Sequence, residues 1–209
     1  MAFQPRYNAN GIWLDPKWYA QNPFNQISNS NPANTTGIWG LPNCTCYVYG
    51  RFWELQNLEC TDLPRWNAED WWNSFPSRYV KAQTPQLGAI MCWYGPGDYR
   101  GHVAIVEHIY PNGDVLTSNS GYQRPLSSYP PNMGNYFWTE RCVQANGYRS
   151  TWEVQRGYIF QGFVYPFQYA DGDPVPDPDD PDPYDPIPDK EKGLKVWQMI
   201  KHRYIINVR

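Results

Sequence analysis

Several features are scarce in this chain of 209 residues, and each absence excludes a class of protein. No run of about 18 apolar residues occurs, so the sequence predicts no helix that spans a membrane. The five cysteines include no Cys-x-x-Cys pair, which makes a structural zinc site a poor explanation for them. The 17 basic residues are outnumbered by 20 acidic residues, so the charge does not favour nucleic-acid binding.

The N-terminal residues also lack the features of a secretion signal. Residues Met1–Arg6 contain no apolar core of the kind that a Sec signal peptide needs. We therefore expect synthesis in a cytoplasm. If the protein acts outside the cell, we expect another component to export it.

The charge is distributed unevenly and divides the chain into three parts. Residues 171–189 carry eight Asp and no Lys or Arg, whereas residues 190–209 carry six Lys or Arg and one Glu. An Asp/Pro-rich stretch cannot form a core, because its charges repel and its apolar content is low. We predict one domain over residues 1–170, a linker over residues 171–191 and a basic, apolar tail over residues 192–209.

Hydrophobic patterning predicts helices first and an antiparallel sheet afterwards, which is an α+β layout. The predicted helices cover residues 44–59 and 66–75, and the predicted strands cover residues 89–94, 101–109, 115–119 and 159–166. Residues 123–150 are predicted to be rich in loops.

One cysteine lies where a nucleophile would be expected. Pro42 and Asn43 have the character of loop and N-cap residues, so Cys44 begins the first helix. Unpaired backbone N–H groups and the positive end of the helix dipole meet there, and both favour a thiolate. A cysteine in an aromatic helix is more often a packing residue, which is how we interpret Cys46. Cys44 alone does not decide between the two roles.

A cysteine nucleophile needs a neighbouring base, and the chain has only three histidines. His202 lies in the tail and His108 late in a strand, whereas His102 begins that strand after a glycine-rich break. His102 is therefore the candidate base. Alternation along the strand places Glu107 on the opposite face from His102, so we reject Glu107 as the residue that orients the imidazole.

Asn119, on the returning strand, shares a face with His102 if the hairpin is tight. With a turn centred on Asn112 and Gly113, Asn119 pairs opposite Val106. The same register leaves Asn119 about 13 Å from His102 along the strand. A bulge or another register is needed to bring the two side chains together.

These motifs resemble those of CHAP domains, the cysteine, histidine-dependent amidohydrolase/peptidases. Asn43–Arg51 (Asn-Cys-Thr-Cys-Tyr-Val-Tyr-Gly-Arg) resembles the nucleophile motif, Gly101–Glu107 resembles the histidine motif, and Phe160–Pro166 is similar to the closing strand. The resemblance covers roughly residues 20–167. Thiol peptidases of the NlpC type are a related alternative, but they usually show Asp-Cys-Ser-Gly at the nucleophile.

The resemblance implies a papain-like α+β fold that cleaves an amide bond in bacterial peptidoglycan. The enzyme would be an N-acetylmuramoyl-L-alanine amidase or a peptide cross-bridge endopeptidase. Cys44 would be the nucleophile, His102 the base and Asn119 the residue that orients the imidazole. The Cys44 backbone N–H and the Asn43 side chain would bind the oxyanion. The family often has a second polar residue two positions after the third, where this chain has Gly121.

We expect no metal site and no cofactor. Some members of the family bind calcium through Asp-rich loops before the cysteine, whereas residues 22–43 contain no Asp or Glu. Bacterial peptidoglycan is the expected partner, nucleic acid is not, and the chain is expected to act as a monomer. The tail over residues 192–209 is either an extension with no binding role or a docking segment for an anionic wall polymer, a membrane surface or a partner.

Two classes of function remain open at this point. The first is a phage or prophage lysin, made in the host cytoplasm, that reaches the cell wall after holin release or as a virion component. The second is a non-catalytic wall-binding or virion structural module with the same fold.

Overall fold

The computed structural model describes residues 3–10, 12, 15–18, 21–26, 40–57, 62–97, 99–121 and 137–165. The predicted linker over residues 171–191 and the tail over residues 192–209 lie outside the described residues, as does Cys60. In the described part the helices are α1 (Pro23–Gln26), α2 (Cys44–Gln56), α3 (Ala68–Ser74) and α4 (Thr151–Gln155). The strands are β1 (Val80–Ala82), β2 (Ile90–Tyr94), β3 (His102–Ile109), β4 (Val115–Asn119), β5 (Trp138–Cys142) and β6 (Ile159–Tyr165).

Helix α2 begins where the sequence predicts. Asn43 has extended backbone angles (φ −161°, ψ 136°), and its side-chain oxygen accepts hydrogen bonds from the backbone N–H groups of Thr45 and Cys46 at 2.9 and 3.3 Å. These bonds satisfy two of the donors that a helix start leaves unpaired. The helix ends at Gln56, because Asn57 adopts a left-handed conformation with φ 50°.

The six strands form one antiparallel sheet in the order β1-β6-β2-β3-β4-β5. One hydrophobic cluster joins α2 and α3 to the face of the sheet that carries Val103 and Ile105. A second cluster covers the opposite face and includes Ala104 and Val106 of β3 together with Trp152 of α4. The predicted α+β class is confirmed, with helices packed on a six-stranded antiparallel sheet.

The predicted loop-rich region over residues 123–150 contains a strand that the sequence did not reveal. In β5, Trp138 and Cys142 are buried, but a charged run (Thr139–Arg141) separates them, so no apolar alternation marks the strand. Helix α4 has only five residues, and Ser150 and Glu153 form a capping box at its start. Strand β1 has only three residues, which are too few to show the alternation of apolar and polar residues that predicts a strand.

The hairpin between β3 and β4 differs in two ways from the predicted tight hairpin with its two-residue turn. Tyr110 and Asp114 close a loop of three residues rather than two, through a hydrogen bond from the Tyr110 N–H to the Asp114 carbonyl at 2.9 Å. A bulge then shifts the register between Val106 and His108, so that Val106 pairs with Thr117. The predicted pairing of Val106 with Asn119 is therefore wrong.

Each of these changes slips the register by one residue, and a slip of one residue moves a side chain to the other face. Because there are two slips, Asn119 keeps the face of His102. Ile105 pairs with Ser118, which moves Asn119 two residues closer to the start of β3 than the tight hairpin would. The bulge that a contact between Asn119 and His102 requires is present.

Candidate active site

The side chains of His102 and Asn119 are in contact. The His102 Nε2 atom lies 3.0 Å from the Asn119 Oδ1 atom, and His102 is only 1% exposed. The Asn119 amide group is itself held, because its Nδ2 atom donates to the Thr117 Oγ1 atom at 2.9 Å. The structure therefore places the predicted orienting residue against the predicted base.

These hydrogen bonds define the tautomer of the imidazole. Since Asn119 Nδ2 donates to Thr117, the Asn119 Oδ1 atom faces His102 and can only accept a hydrogen bond. His102 Nε2 must then carry the proton. The lone pair of the neutral ring is consequently on Nδ1, which is the nitrogen that can accept a proton from a thiol.

Aromatic rings surround His102 on the face of the sheet opposite α2. The Trp152 ring meets the imidazole edge to face with centroids 4.7 Å apart, and the Trp138 ring is stacked at 6.0 Å with an interplanar angle of 11°. Trp93 lies at 5.6 Å and Tyr158 at 6.4 Å. We call these four residues the aromatic cage. The cage keeps water away from the bond between His102 and Asn119, which strengthens that bond.

Sequence patterns do not reveal most of the aromatic cage. Trp138 lies in the region predicted as loop-rich, and Trp152 and Tyr158 belong to the short helix α4 and the turn after it. A tryptophan in an irregular segment carries no periodicity, so its contact with His102 could not be read from spacing.

A glycine positions His102 at the start of β3. Gly101 has φ 72°, and a Cβ atom there would lie 2.5 Å from the carbonyl oxygen of Trp93 and 2.6 Å from the backbone nitrogen of Glu69. The chain passes between the end of β2 and the start of α3 with no room for a side chain. Only glycine combines this positive φ with so close an approach.

Cys44 lies at the first residue of α2 and keeps some exposure to solvent. Burial raises the pKa of its thiol to about 11, although backbone N–H groups of Val103, Thr45 and Cys44 itself direct hydrogen bonds at the sulfur and lower it. The helix start therefore lowers the pKa of the Cys44 thiol, as predicted, but desolvation raises this pKa by more. The resting thiol is neutral, and it needs a base to become a nucleophile.

Two contacts fix the start of α2 beside the histidine and the asparagine. The sulfur of Cys44 accepts a hydrogen bond from the N–H of Val103, the residue after His102. The Asn43 N–H donates to the Oγ atom of Ser120, the residue after Asn119, at 3.1 Å. The start of α2 thus contacts the residue after His102 and the residue after Asn119.

The predicted oxyanion groups are only partly available. The Asn43 Oδ1 atom accepts from the Thr45 hydroxyl at 2.6 Å as well as from the two backbone donors of the cap. The Asn43 Nδ2 group is the part of this side chain that the cap does not use. An oxyanion donor from Asn43 would have to be Nδ2, next to the Cys44 N–H at the helix start.

Glu107 faces α2, as the strand pattern predicts, and serves another purpose. Its carboxylate accepts from Arg51 Nε at 2.9 Å, from Arg51 Nη2 at 2.8 Å and from the Ser118 hydroxyl at 2.6 Å. The backbone N–H of Arg6 donates to it at 2.9 Å. This buried ion pair ties α2 to the sheet and takes no part in orienting His102. His108 packs against Tyr110 instead, and His202 lies outside the described residues.

The other cysteines in the described part of the chain are packing residues. Cys46, Cys92 and Cys142 are all buried, and burial raises the pKa of each thiol. Cys46 lies in the cluster between α2 and the sheet, which agrees with its predicted packing role.

A buried carboxyl pair lies behind Asn119. The carbonyl oxygen of Glu140 accepts from the Thr117 hydroxyl at 3.2 Å, and Thr117 in turn holds the Asn119 amide. The Glu140 side chain accepts from the Ser150 hydroxyl at 2.6 Å, and the same hydroxyl is hydrogen-bonded to Glu153. Burial, and then the nearby Glu153 charge, raise the pKa of Glu140 well above its ordinary range.

Within the described ranges, no three His, Cys, Asp or Glu side chains converge to hold a metal ion. None of the helices described has both the length and the apolar content needed to cross a membrane.

Residues 31–121 match the family model described as "CHAP domain". This part of the chain is therefore similar to CHAP domains. The match includes the cysteine, histidine and asparagine positions, whereas β5, α4 and β6 follow it in sequence.

Related proteins are known from Staphylococcus aureus (strain NCTC 8325 / PS 47). "Probable autolysin SsaALP" is 29% identical over 143 residues, which covers 62% of this chain and 50% of that protein. "Probable autolysin LDP" is 31% identical over 96 residues, covering 45% of this chain and 33% of that protein. A crystal structure of an N-acetylmuramoyl-L-alanine amidase from S. aureus is similar with a TM-score of 0.43 and 21% identity, covering 68% of this chain and 34% of that one. The chain thus spans half or less of the length of each of these proteins.

Proposed function

We propose that this chain is a peptidoglycan hydrolase of the CHAP family that cleaves an amide bond through Cys44, His102 and Asn119. One observation carries the proposal: His102 is held by Asn119 at 3.0 Å, directly beside a helix start whose cysteine thiol contacts Val103. The named autolysins and the amidase among its relatives support peptidoglycan as the substrate.

The first step is activation of the thiol. The Cys44 proton moves to His102 Nδ1, which forms a thiolate and an imidazolium. Burial raises the pKa of the thiol to about 11, which disfavours the thiolate. The thiolate therefore forms only because the positive imidazolium that is produced with it stabilises its charge. His102 lies on the other face of β3 from the body of α2, so the transfer takes place around the start of the strand. Asn119 keeps the ring in the orientation that directs Nδ1 to the thiol.

The thiolate then attacks the carbonyl carbon of the scissile amide. A bond forms between sulfur and carbon, and the electron pair of the carbonyl moves onto its oxygen. The Cys44 N–H, with Asn43 Nδ2 as a second donor, stabilises this oxyanion. When the tetrahedral intermediate collapses, the carbon–nitrogen bond breaks and His102 gives its proton to the leaving amine. A thioester on Cys44 remains.

Water completes the reaction. His102 Nδ1, now neutral, takes a proton from water as the oxygen attacks the thioester carbonyl. The second tetrahedral intermediate expels the Cys44 thiolate, which recovers its proton from the imidazolium. The products are a free carboxylic acid and a free amine, and the enzyme returns to its starting state.

The products of wall digestion test the proposal. Purified peptidoglycan is incubated with the protein, and new termini are identified by mass spectrometry. An amidase releases the amine of L-alanine from the lactyl group of N-acetylmuramic acid, whereas an endopeptidase releases an amine within the peptide. Binding to the wall without any new termini would instead indicate the non-catalytic module. The His102→Ala variant serves as the inactive control.

The origin of the enzyme stays a prediction. The sequence predicts a phage or prophage lysin, whereas the named relatives are staphylococcal autolysins. A lysin of this kind, expressed in a bacterial cytoplasm, should lyse the host only when a holin is expressed with it. Lysis that is independent of a holin would contradict that origin.

The role of the tail also stays a prediction, because residues 192–209 lie outside the described residues. If the tail docks on the wall or the membrane surface, a variant that ends at residue 170 should bind whole cells more weakly while it keeps its activity on soluble wall fragments. Unchanged binding would favour an extension with no binding role.

A further inference from the structure

Strand β4 sends its side chains alternately to the two faces of the sheet, and the two sets have different partners. Ser118 faces α2, where its hydroxyl donates to the Glu107 carboxylate at 2.6 Å. Thr117 and Asn119 lie on the face that carries the His102 ring, and both are fully buried. Thr117 is not part of the cysteine, histidine and asparagine set, yet its hydroxyl contacts the asparagine directly.

The hydroxyl group of Thr117 has a defined polarity. Thr117 pairs with Glu140 on β5, whose backbone carbonyl lies 3.2 Å from the Thr117 Oγ1 atom. A carbonyl oxygen can only accept a hydrogen bond, so the hydroxyl proton points to Glu140. The lone pairs of Oγ1 then face the Asn119 Nδ2 group at 2.9 Å and the Cys142 sulfur at 3.9 Å. Thr117 is therefore a hydrogen-bond acceptor toward Asn119.

This polarity decides which end of the Asn119 amide faces His102. The oxygen and nitrogen of an asparagine side chain exchange places in a half turn, so shape alone does not select one orientation. Because Thr117 offers an acceptor, the Nδ2 group lies against it and the Oδ1 atom lies 3.0 Å from the His102 Nε2 atom. The reverse orientation would place two acceptors, Asn119 Oδ1 and Thr117 Oγ1, against each other.

We propose that Thr117 is a positioning residue that selects the tautomer of His102 through Asn119. The Glu140 carbonyl orients the Thr117 hydroxyl, and the hydroxyl orients the Asn119 amide. The amide in turn keeps the proton of the neutral ring on Nε2, which leaves the lone pair on Nδ1 to receive the thiol proton. This inference rests on the proposed function and specifies what prepares His102 for the first step.

Thr117→Val removes the hydroxyl and keeps a side chain of nearly the same size. Neither end of the Asn119 amide then has a hydrogen-bond partner at position 117, so the two orientations become comparable in free energy. In the reversed orientation Nδ2 donates to His102 Nε2, and the ring carries its proton on Nδ1, which cannot accept one from Cys44. We expect the ratio of the two tautomers to change about 3- to 10-fold, the equivalent of one neutral hydrogen bond.

The first test observes the tautomer directly. The full chain is labelled with ¹⁵N-histidine, and long-range ¹H–¹⁵N spectra are recorded at about pH 8, above the ordinary histidine pKa of about 6.5. The His102 signals are identified by their loss in His102→Ala. We expect Nε2–H in the wild type and in Thr117→Ser, which keeps the hydroxyl, and a substantial Nδ1–H population in Thr117→Val. Nδ1–H in the wild type, or an unchanged tautomer in folded Thr117→Val, would overturn the proposal.

The second test uses turnover and a double variant. On purified wall, Thr117→Val should lower kcat about 3- to 10-fold and leave KM nearly unchanged, because Thr117 is fully buried and does not reach the substrate. Thr117→Ser should recover most of the rate. In an Asn119→Ala background, Thr117→Val should change kcat by less than about twofold, since Thr117 acts through Asn119. An equal fall in both backgrounds would contradict a role through Asn119.

Ser118→Ala is the matched control. It removes a buried hydroxyl from the next position of the same strand, and this hydroxyl binds Glu107 rather than Asn119. Its Tm should fall, as in Thr117→Val, because each variant leaves a buried polar group without its partner. The His102 tautomer and kcat of Ser118→Ala should remain those of the wild type. A tautomer change as large as that in Thr117→Val would attribute the effect to a general loosening of β4 and overturn the role of Thr117.

The two proposals can fail separately. If Thr117→Val changes the tautomer but the wild type cuts no wall bond, the hydrolase proposal fails and the control of the imidazole by Thr117 stands. If the wild type cuts the wall and folded Thr117→Val keeps both its tautomer and its kcat, the role of Thr117 fails and the hydrolase stands.

Discussion

The buried ion pair between Arg51 and Glu107 allows a quantitative prediction of stability. The side chains are only 4% and 0% exposed, with the Arg51 Nη2 and Glu107 Oε2 atoms 2.8 Å apart. In Glu107→Leu, Arg51 loses this partner and Ser118 loses its acceptor. Breaking one side of a buried pair costs about 3–5 kcal/mol, and we expect the lower part of this range because Arg51 keeps its pair with Glu54 at 2.6 Å. For a chain of this size we expect Tm to fall by about 6–20 °C.

Differential scanning calorimetry of the single variant, compared with a double variant, gives the assay. In Arg51→Met combined with Glu107→Leu, both buried charges are removed, so much of the lost stability should return. The matched control is Asp62→Ala, which breaks an exposed pair with Arg78 at 2.6 Å and should cost at most about 1 kcal/mol.

The same variant separates structure from catalysis. Glu107 faces α2, away from the His102 ring, so folded Glu107→Leu should keep a kcat close to that of the wild type. The reasoning would be refuted if Glu107→Leu melted at the temperature of the wild type, or if it melted normally and lost activity. A Glu107→Leu protein that melts normally but is inactive would indicate that Glu107 orients His102, which the strand pattern excludes.

Three further predictions concern the site and its surroundings. Asn119→Ala should lower kcat about tenfold, the equivalent of one lost hydrogen bond of about 1.4 kcal/mol, with KM on wall substrate nearly unchanged. Iodoacetamide should alkylate Cys44 at least about tenfold more slowly at neutral pH in His102→Ala than in the wild type, because a thiol whose pKa burial raises to about 11 then has no imidazole to accept its proton. Equal rates, measured by peptide mapping, would refute proton transfer from Cys44 to His102. The pKa of Glu140 is raised in the folded state above its ordinary 4.5, so the folded protein holds a proton that the unfolded chain releases, and stability should fall as pH rises above that value. The Tm of the wild type should therefore fall as pH rises from about 5 to about 8, and the fall should be smaller in Glu140→Gln. An equal fall in both proteins would show that Glu140 does not hold the proton.

The sequence was informative where a residue's role follows from local pattern. The cap at Asn43 and the stripe of Tyr47, Val48 and Phe52 predict a helix that starts at Cys44, and the structure has it there. Strand alternation separates His102 from Glu107, and the two side chains do face opposite sides of the sheet.

The sequence was uninformative where the outcome depends on distant contacts. The register of β4 could not be predicted, because a three-residue loop and a bulge each shift it by one residue and only their sum keeps Asn119 facing His102. The cage rings of Trp138 and Trp152 reach His102 from segments without periodicity. The high pKa of Cys44 comes from burial, which a helix position does not reveal.

A comparison of two cysteine variants tests the central claim most directly. Wall fragments released per minute are measured for the wild type, for Cys44→Ala and for Cys46→Ala, with melting curves to show that each is folded. Cys46 is two residues away, and its thiol is buried in the core between α2 and the sheet, so it controls for packing. We expect Cys44→Ala to release nothing above background and Cys46→Ala to keep substantial activity. Wall cleavage by Cys44→Ala at the rate of the wild type would contradict the proposal that Cys44 is the nucleophile.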